Sequence, residues 1–127
     1  MSHATDPTVE PLLPLPPAFL HILIALGDGE RHGYSIMQEV AERTGGRVRM
    51  SPGTLYGSIK RMLGDGLIEE LTRVAPPGAA GRQTPTEERR RFYRITRFGR
   101  RVAAAEAERL ASLLSQARSS GLVPRKA

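Results

Sequence analysis

From position 51 the chain reads Ser-Pro-Gly-Thr-Leu-Tyr-Gly-Ser-Ile-Lys-Arg-Met-Leu-Gly-Asp-Gly, and its apolar residues Leu55, Ile59, Met62 and Leu63 recur at helical spacing. Ser51 is a favourable N-cap and Pro52 suits the first helical position, so the pattern predicts a helix over 52–64. The opposite side of that helix carries Gly53, Gly57, Lys60, Arg61 and Gly64, with Thr54 and Tyr56 at its margins. Three glycines inside a helix cost about 1 kcal/mol each relative to alanine. Burial of the four apolar side chains contributes about 1.5–3 kcal/mol apiece, so packing wins and the helix forms. The glycines then have two readings. Either a large, flat partner such as DNA approaches closely, or a neighbouring helix of the same chain packs tightly there.

The rest of the chain is organised around this helix. Residues 18–26 form an apolar run broken only by His21 and stopped by Gly27-Asp28-Gly29, which predicts a short core helix. A second helix is expected over 33–44, with Ile36, Met37, Val40, Ala41 and Thr44 on one face and Gly45-Gly46 ending it. A connector, 47–50, then leads into helix 52–64, in helix-turn-helix order. Residues 67–74 and 91–95 read as two strands joined by a loop, 75–88, with the composition of disordered segments. Thr96 caps a long helix over 97–120, closed by Gly121 and followed by Pro124. The fold class expected is mainly α with a small two-stranded β wing, a winged helix-turn-helix with a C-terminal dimerisation helix.

The long helix has an apolar stripe of Phe98, Val102, Ala105, Leu110, Leu113, Leu114 and Ala117. So small a body cannot cover all of it, and an exposed stripe of this kind usually pairs with its own copy. The expected layout is a proline-rich extended arm over 1–17, a winged helix-turn-helix domain over 18–96, a dimerisation helix over 97–120 and a tail over 121–127. Prolines 7, 11, 14, 16 and 17 disfavour a helix in the arm, while Leu12, Leu13 and Leu15 place its end against the body or a second subunit.

Composition narrows the function. The 127 residues suit one domain, and 39% hydrophobic content supports a modest core. With no cysteine, disulfides, thiolate metal sites and thiol nucleophiles are excluded. His3, His21 and His32 lack metal-ligand spacing, the Gly27–Gly33 stretch misses the dinucleotide fingerprint, and no phosphate loop or nucleophile elbow occurs. An enzyme, a metal site and a cofactor are therefore not expected. No apolar run approaches the ~20 residues that span a bilayer, and the start lacks a signal-peptide pattern, so a cytoplasmic protein away from membranes is expected.

The net charge of +6 is local. Arg82, Arg89, Arg90, Arg91, Arg94, Arg97, Arg100 and Arg101 stand against Glu87 and Glu88, a surplus equal to that of the whole chain. Arginine forks onto phosphate oxygens better than lysine, and these arginines flank the lean helix. Double-stranded DNA is the partner this favours. A winged helix that binds protein or RNA is the alternative, weakened by the few aromatics available for stacking on unpaired bases.

His32-Gly33-Tyr34, Thr44-Gly45-Gly46, Ser51-Pro52-Gly53-Thr54-Leu55-Tyr56, Lys60-Arg61-Met62-Leu63, Gly66-Leu67-Ile68 and Arg91-Phe92-Tyr93-Arg94-Ile95-Thr96 with Gly99 occur in an order that resembles the PadR family of bacterial transcriptional regulators. The resemblance covers roughly residues 19–105. It implies a homodimeric winged-helix repressor, often released from DNA by a small ligand. It also implies that helix 52–64 is the recognition helix, that Tyr34 and Tyr56 contact the DNA backbone, and that the arginine-rich hairpin is the wing. Gly57 stands where the family often has proline.

The interface expected from these residues has defined parts. Lys60 and Arg61 reach phosphates or guanine edges, and Ser51, Thr54 and Tyr56 offer hydroxyls to phosphates. Gly53 and Gly57 permit close approach, and Arg89, Arg90 and Arg91 track the backbone or enter the minor groove. A dimer joined through Phe98, Val102, Leu110, Leu113, Leu114 and Ala117 would set two recognition helices in successive major grooves about 34 Å apart. It would also leave a cavity between winged body and long helices in which an apolar or aromatic effector could lodge.

Overall fold

In the computed structural model, residues 6–74 and 89–124 are described. A 3-10 turn at Glu10–Leu12 precedes helix α1 (Pro17–Ala25), strand β1 (Arg31–His32), helices α2 (Gly33–Arg43) and α3 (Pro52–Gly64), strands β2 (Ile68–Val74) and β3 (Arg89–Ile95), and helix α4 (Arg97–Ser119). β2 and β3 form an antiparallel hairpin running from Ile68 opposite Ile95 to Val74 opposite Arg89. β1 pairs with the other edge of β3, Arg31 opposite Tyr93 and His32 opposite Phe92. The sheet is therefore three-stranded, in the order β1-β3-β2, where two strands were expected. A strand of two residues has no periodicity to read, so the third strand is invisible in the pattern. β3 also begins at Arg89, two residues before the expected 91.

α1 lies at the centre of the body and packs against α2, α3 and α4. Ile22, Leu23, Ala25 and Leu26 are fully enclosed, together with Ile36, Leu55, Met62, Leu67 and Val102 from the surrounding elements. Of the residues expected in this core helix, 18–26, Ile24 alone is exposed, at 47%. The N-terminal segment is a second difference. Proline density predicts an extended arm, yet residues 6–16 turn, with Val9 and Leu15 seated in the core. Pro11 stands in the first turn of the short helix, where its missing N–H costs nothing.

Side-chain caps fix the starts of α3 and α4. Ser51 Oγ accepts the Thr54 N–H at 3.1 Å, and Thr96 Oγ1 accepts the Gly99 N–H at 2.9 Å. At the end of α3, Gly66 has φ +77°, and the Leu67 N–H reaches back to the Met62 carbonyl at 2.9 Å. The left-handed residue lets the chain reverse within two residues and enter β2.

α4 divides along its length. Gly99, Val102 and Glu106 are buried against the body, whereas Leu110, Leu113 and Leu114 are exposed. Glu106 is only 2% exposed, and its carboxylate accepts two bonds from Arg109, at 2.8 and 2.7 Å. The backbone N–H of Leu15, in the N-terminal segment, also bears on this carboxyl. The Arg109 hydrogen bonds hold this carboxyl below the ordinary glutamate range; burial opposes them, and the Leu15 N–H adds to them.

A carboxylate whose pKa falls on folding gives stability that is complete above its unfolded pKa and is lost as pH falls through the folded value. Glu106→Ala is therefore expected to lower the melting temperature most near neutrality, by an amount equivalent to about 1–3 kcal/mol for partners left unpaired. The gap from the parent protein should close on acidification below the ordinary glutamate range. Calorimetric melts across pH check both parts.

Candidate nucleic-acid interface

The outer side of α3 is bare. Gly53, Thr54, Tyr56, Gly57, Lys60, Arg61 and Gly64 are all exposed, as is Ser51 at the cap. A methyl group placed on Gly57 or Gly64 would meet no atom within 4 Å, and one on Gly53 only Ser51 Oγ at 3.9 Å. Of the two readings of these glycines, tight packing by a neighbouring helix of the same chain is thereby removed for the described residues. The inner side holds the helix with Leu55, Ile59 and Met62, all 2% exposed or less, and with the buried Ser58.

A different glycine carries a packing role. A Cβ on Gly33 would collide with the Tyr56 hydroxyl and lie 2.9 Å from the ring carbon Cζ. Gly33 opens α2, so the Tyr56 ring lies across the start of that helix. Tyr34, 59% exposed, is the next residue, and Tyr56 is itself 48% exposed. Two half-bare tyrosines from different helices thus lie at or next to the start of α2. His32 supports the arrangement: its Nδ1 accepts the Ser35 N–H at 3.3 Å and caps α2, while its ring stands edge-on to Phe92 at 5.6 Å. Histidine is not among the usual capping residues, and the sequence reading missed it.

Lys60 has no ion-pair partner among the described residues, and the Arg61 guanidinium lies 5.4 Å over the Phe19 ring of α1. On the hairpin, Arg91 is exposed, with its Nε 3.7 Å from Glu70. Arg89 and Arg90 lie in β3 opposite Val74 and Arg73, and their side chains fall outside the described residues. The loop 75–88, with Arg82, Glu87 and Glu88, lies outside them too.

The local charge surplus is partly spent inside the chain. Arg94 pairs with Glu69 at 2.8 Å, Arg100 donates to the Gly27 carbonyl at 3.1 Å, and Arg101 faces Asp6 at 3.3 Å. These partners come from distant segments, so a count along the sequence cannot include them.

The residues expected to pair two copies separate in the same way. Leu110, Leu113 and Leu114 are 41%, 47% and 42% exposed, and Ala117 is half-buried. Val102 is 0% exposed within the single chain, which corrects its placement among the pairing residues. Phe98 is half-buried against the core beneath Arg101. The stripe is continuous in sequence, but its first half is covered by this chain's own body.

Comparison with known proteins agrees with this geometry. The profile of the Transcriptional regulator PadR-like family matches residues 22–105. A Mycobacterium tuberculosis protein, transcriptional regulator Rv3488, is 41% identical over 86 residues, spanning 61% of this chain and 78% of that one. A transcriptional regulator from Clostridium thermocellum superposes with a TM-score of 0.63 at 21% identity, over 94% of this chain and all of that one. Bacillus subtilis PadR in complex with operator DNA gives a TM-score of 0.59 at 22% identity, over 72% of this chain and 46% of that one. At such identities the two structures speak for the fold.

Since nothing stands over Gly57 and its backbone is helical, Gly57→Ala is expected to stabilise the free protein by about 0.5–1 kcal/mol through helix propensity. A rise in melting temperature checks this. A fall would mean that the glycine is needed for packing within the chain.

Proposed function

The chain belongs to the PadR-like family of transcriptional regulators, and from that premise we propose that it acts as a homodimeric repressor on a palindromic operator in duplex DNA. The observation that carries the proposal is the open space over Gly53, Gly57 and Gly64, beside the exposed Tyr34, Tyr56 and Lys60. In this reading α3 enters the major groove. Gly53 and Gly57 let its backbone come close, Lys60 and Arg61 reach phosphates or guanine edges, and Ser51, Thr54, Tyr34 and Tyr56 hold the backbone. The first-turn amides of α3 add a site for one phosphate. Arg89, Arg90 and Arg91 of the hairpin follow the flanking strand or its minor groove. Bacillus subtilis PadR, of like fold, has been solved with operator DNA, which supports the reading.

The exposed leucines of α4 supply the dimer contact, with Ala117 between them and the end of the helix. Bound across a promoter, the dimer excludes polymerase by occupancy, in the cytoplasm where the operator is. A small apolar or aromatic effector, lodged between body and paired helices, would act by preferring one spacing of the two recognition helices. Separately, no described helix is long and apolar enough to cross a membrane.

Two measurements test the proposal. Sedimentation of a Leu110→Glu, Leu113→Glu variant should show a monomer where the parent chain is a dimer; an unchanged mass would place the interface elsewhere. Footprinting of the DNA upstream of the protein's own gene should reveal an inverted repeat with two protected halves about one helical turn apart. On that fragment Arg61→Ala should weaken binding by about 1–3 kcal/mol and Gln38→Ala should leave it near the parent value. Equal effects would remove α3 from the interface.

A further inference from the structure

The described arginines fall into two groups. Several face a carboxylate of this chain: Arg43 with Glu39 at 2.6 Å, Arg94 with Glu69 at 2.8 Å, and Arg109 with Glu106 at 2.7 Å. Arg47, Arg49, Arg61, Arg97, Arg100 and Arg118 are exposed and face none within 4.0 Å among the described residues; of these, Arg47 and Arg49 are the pair that lies between α2 and α3. They stand on the connector 47–50 between α2 and α3, and its backbone decides where they point. Gly45 and Gly46, with φ +63° and +83°, turn the chain out of α2, and the Val48 N–H is held by Thr44 Oγ1 at 3.0 Å. Val48 and Met50 lie half-buried against the core. Exposure alternates along the segment, and Arg47 and Arg49 are its outward residues.

The connector ends on Ser51, the cap of α3. Both residues therefore stand just ahead of the helix whose outer side is bare, with the Arg49 guanidinium lying beside Gly46 just past the end of α2. A free guanidinium is built for bidentate phosphate contact, and pairing with an internal carboxylate would cancel much of that attraction. We propose that Arg47 and Arg49 are phosphate contacts of the DNA interface, placed beside the start of α3. This rests on the DNA-binding function proposed above.

The test is the salt dependence of binding to a short random-sequence duplex, measured by fluorescence anisotropy between about 50 and 200 mM salt. Each lost phosphate contact lowers the slope of log K against log salt by about 0.9, so R47Q/R49Q should lose about two units of slope and each single variant about one. R31Q/R43Q, with the same change in net charge but removing arginines that already face Asp28 and Glu39, should keep the parent slope. R47K/R49K should keep it as well, which separates loss of charge from damage to the connector; a slope lost there too overturns the proposal. Thermal melts of each variant confirm that it is folded. An unchanged slope in R47Q/R49Q, or an equal loss in R31Q/R43Q, overturns the proposal and leaves the DNA-binding function standing. A parent protein that binds the duplex with no salt dependence overturns both.

Discussion

One peptide carbonyl, that of Leu67, is the point to which three functional parts are tied. Leu67 closes the reversal after α3 and starts the approach to β2, with its side chain fully enclosed. Its carbonyl accepts the Thr96 N–H at 3.1 Å, and the Thr96 hydroxyl lies 2.6 Å from the neighbouring Gly66 carbonyl. Gly99, in the first turn of α4, rests directly on the Leu67 carbonyl, where a Cβ would overlap it and crowd Ile95 Cγ1 at 3.0 Å. No other residue type allows that contact without moving α4 away, and interiors packed to crystal-like density do not yield such space. The end of the proposed recognition helix, the root of the hairpin and the start of the long helix are thereby held as one unit.

Held so firmly at its end, α3 can leave its outer side empty. Interior glycines weaken a helix, and here the weakness is offset by a cap at the start, a glycine-closed end and the enclosed Leu55 and Met62. Conflict between a local rule and the fold tends to mark a functional place. The conflict in α3 is of that kind, because nothing in the described chain occupies the space above Gly57 and Gly64. Gly33 makes the contrast: it is filled from outside by Tyr56, and its lack of a side chain serves packing alone.

Much of this was legible along the chain. The Ser-Pro start and glycine end fixed α3 at 52–64, the range found, because caps are local and chemical. The hairpin and the order of helices followed from periodicity. What was missed needed information from another segment. β1 exists because β3 offers it an edge. The turn at Glu10–Leu12 exists because Val9 and Leu15 find the core. Glu69 neutralises Arg94 from across the hairpin, so the wing is less cationic than its own stretch of sequence. Val102 belongs to an apolar stripe whose periodicity is the same whether this chain or a second copy covers it.

The divided stripe of α4 has a mechanical consequence for the proposed dimer. Its first half is fastened to the body through Gly99, Val102 and Glu106, and its second half bears the exposed leucines. A helix is stiff over 23 residues, so a partner bound to the far half fixes the direction of the near half as well. That near half meets the Leu67 junction, and the junction holds the end of α3. The spacing of two α3 helices in a dimer would then be set by the angle at which each α4 leaves its body. Arg100 and Arg101 of that near half donate to the Gly27 carbonyl and to Asp6, so a change of that angle would have to break hydrogen bonds between α4 and the body. In the proposed dimer an effector would therefore control operator binding most directly by acting on the α4 angle and not on α3 itself.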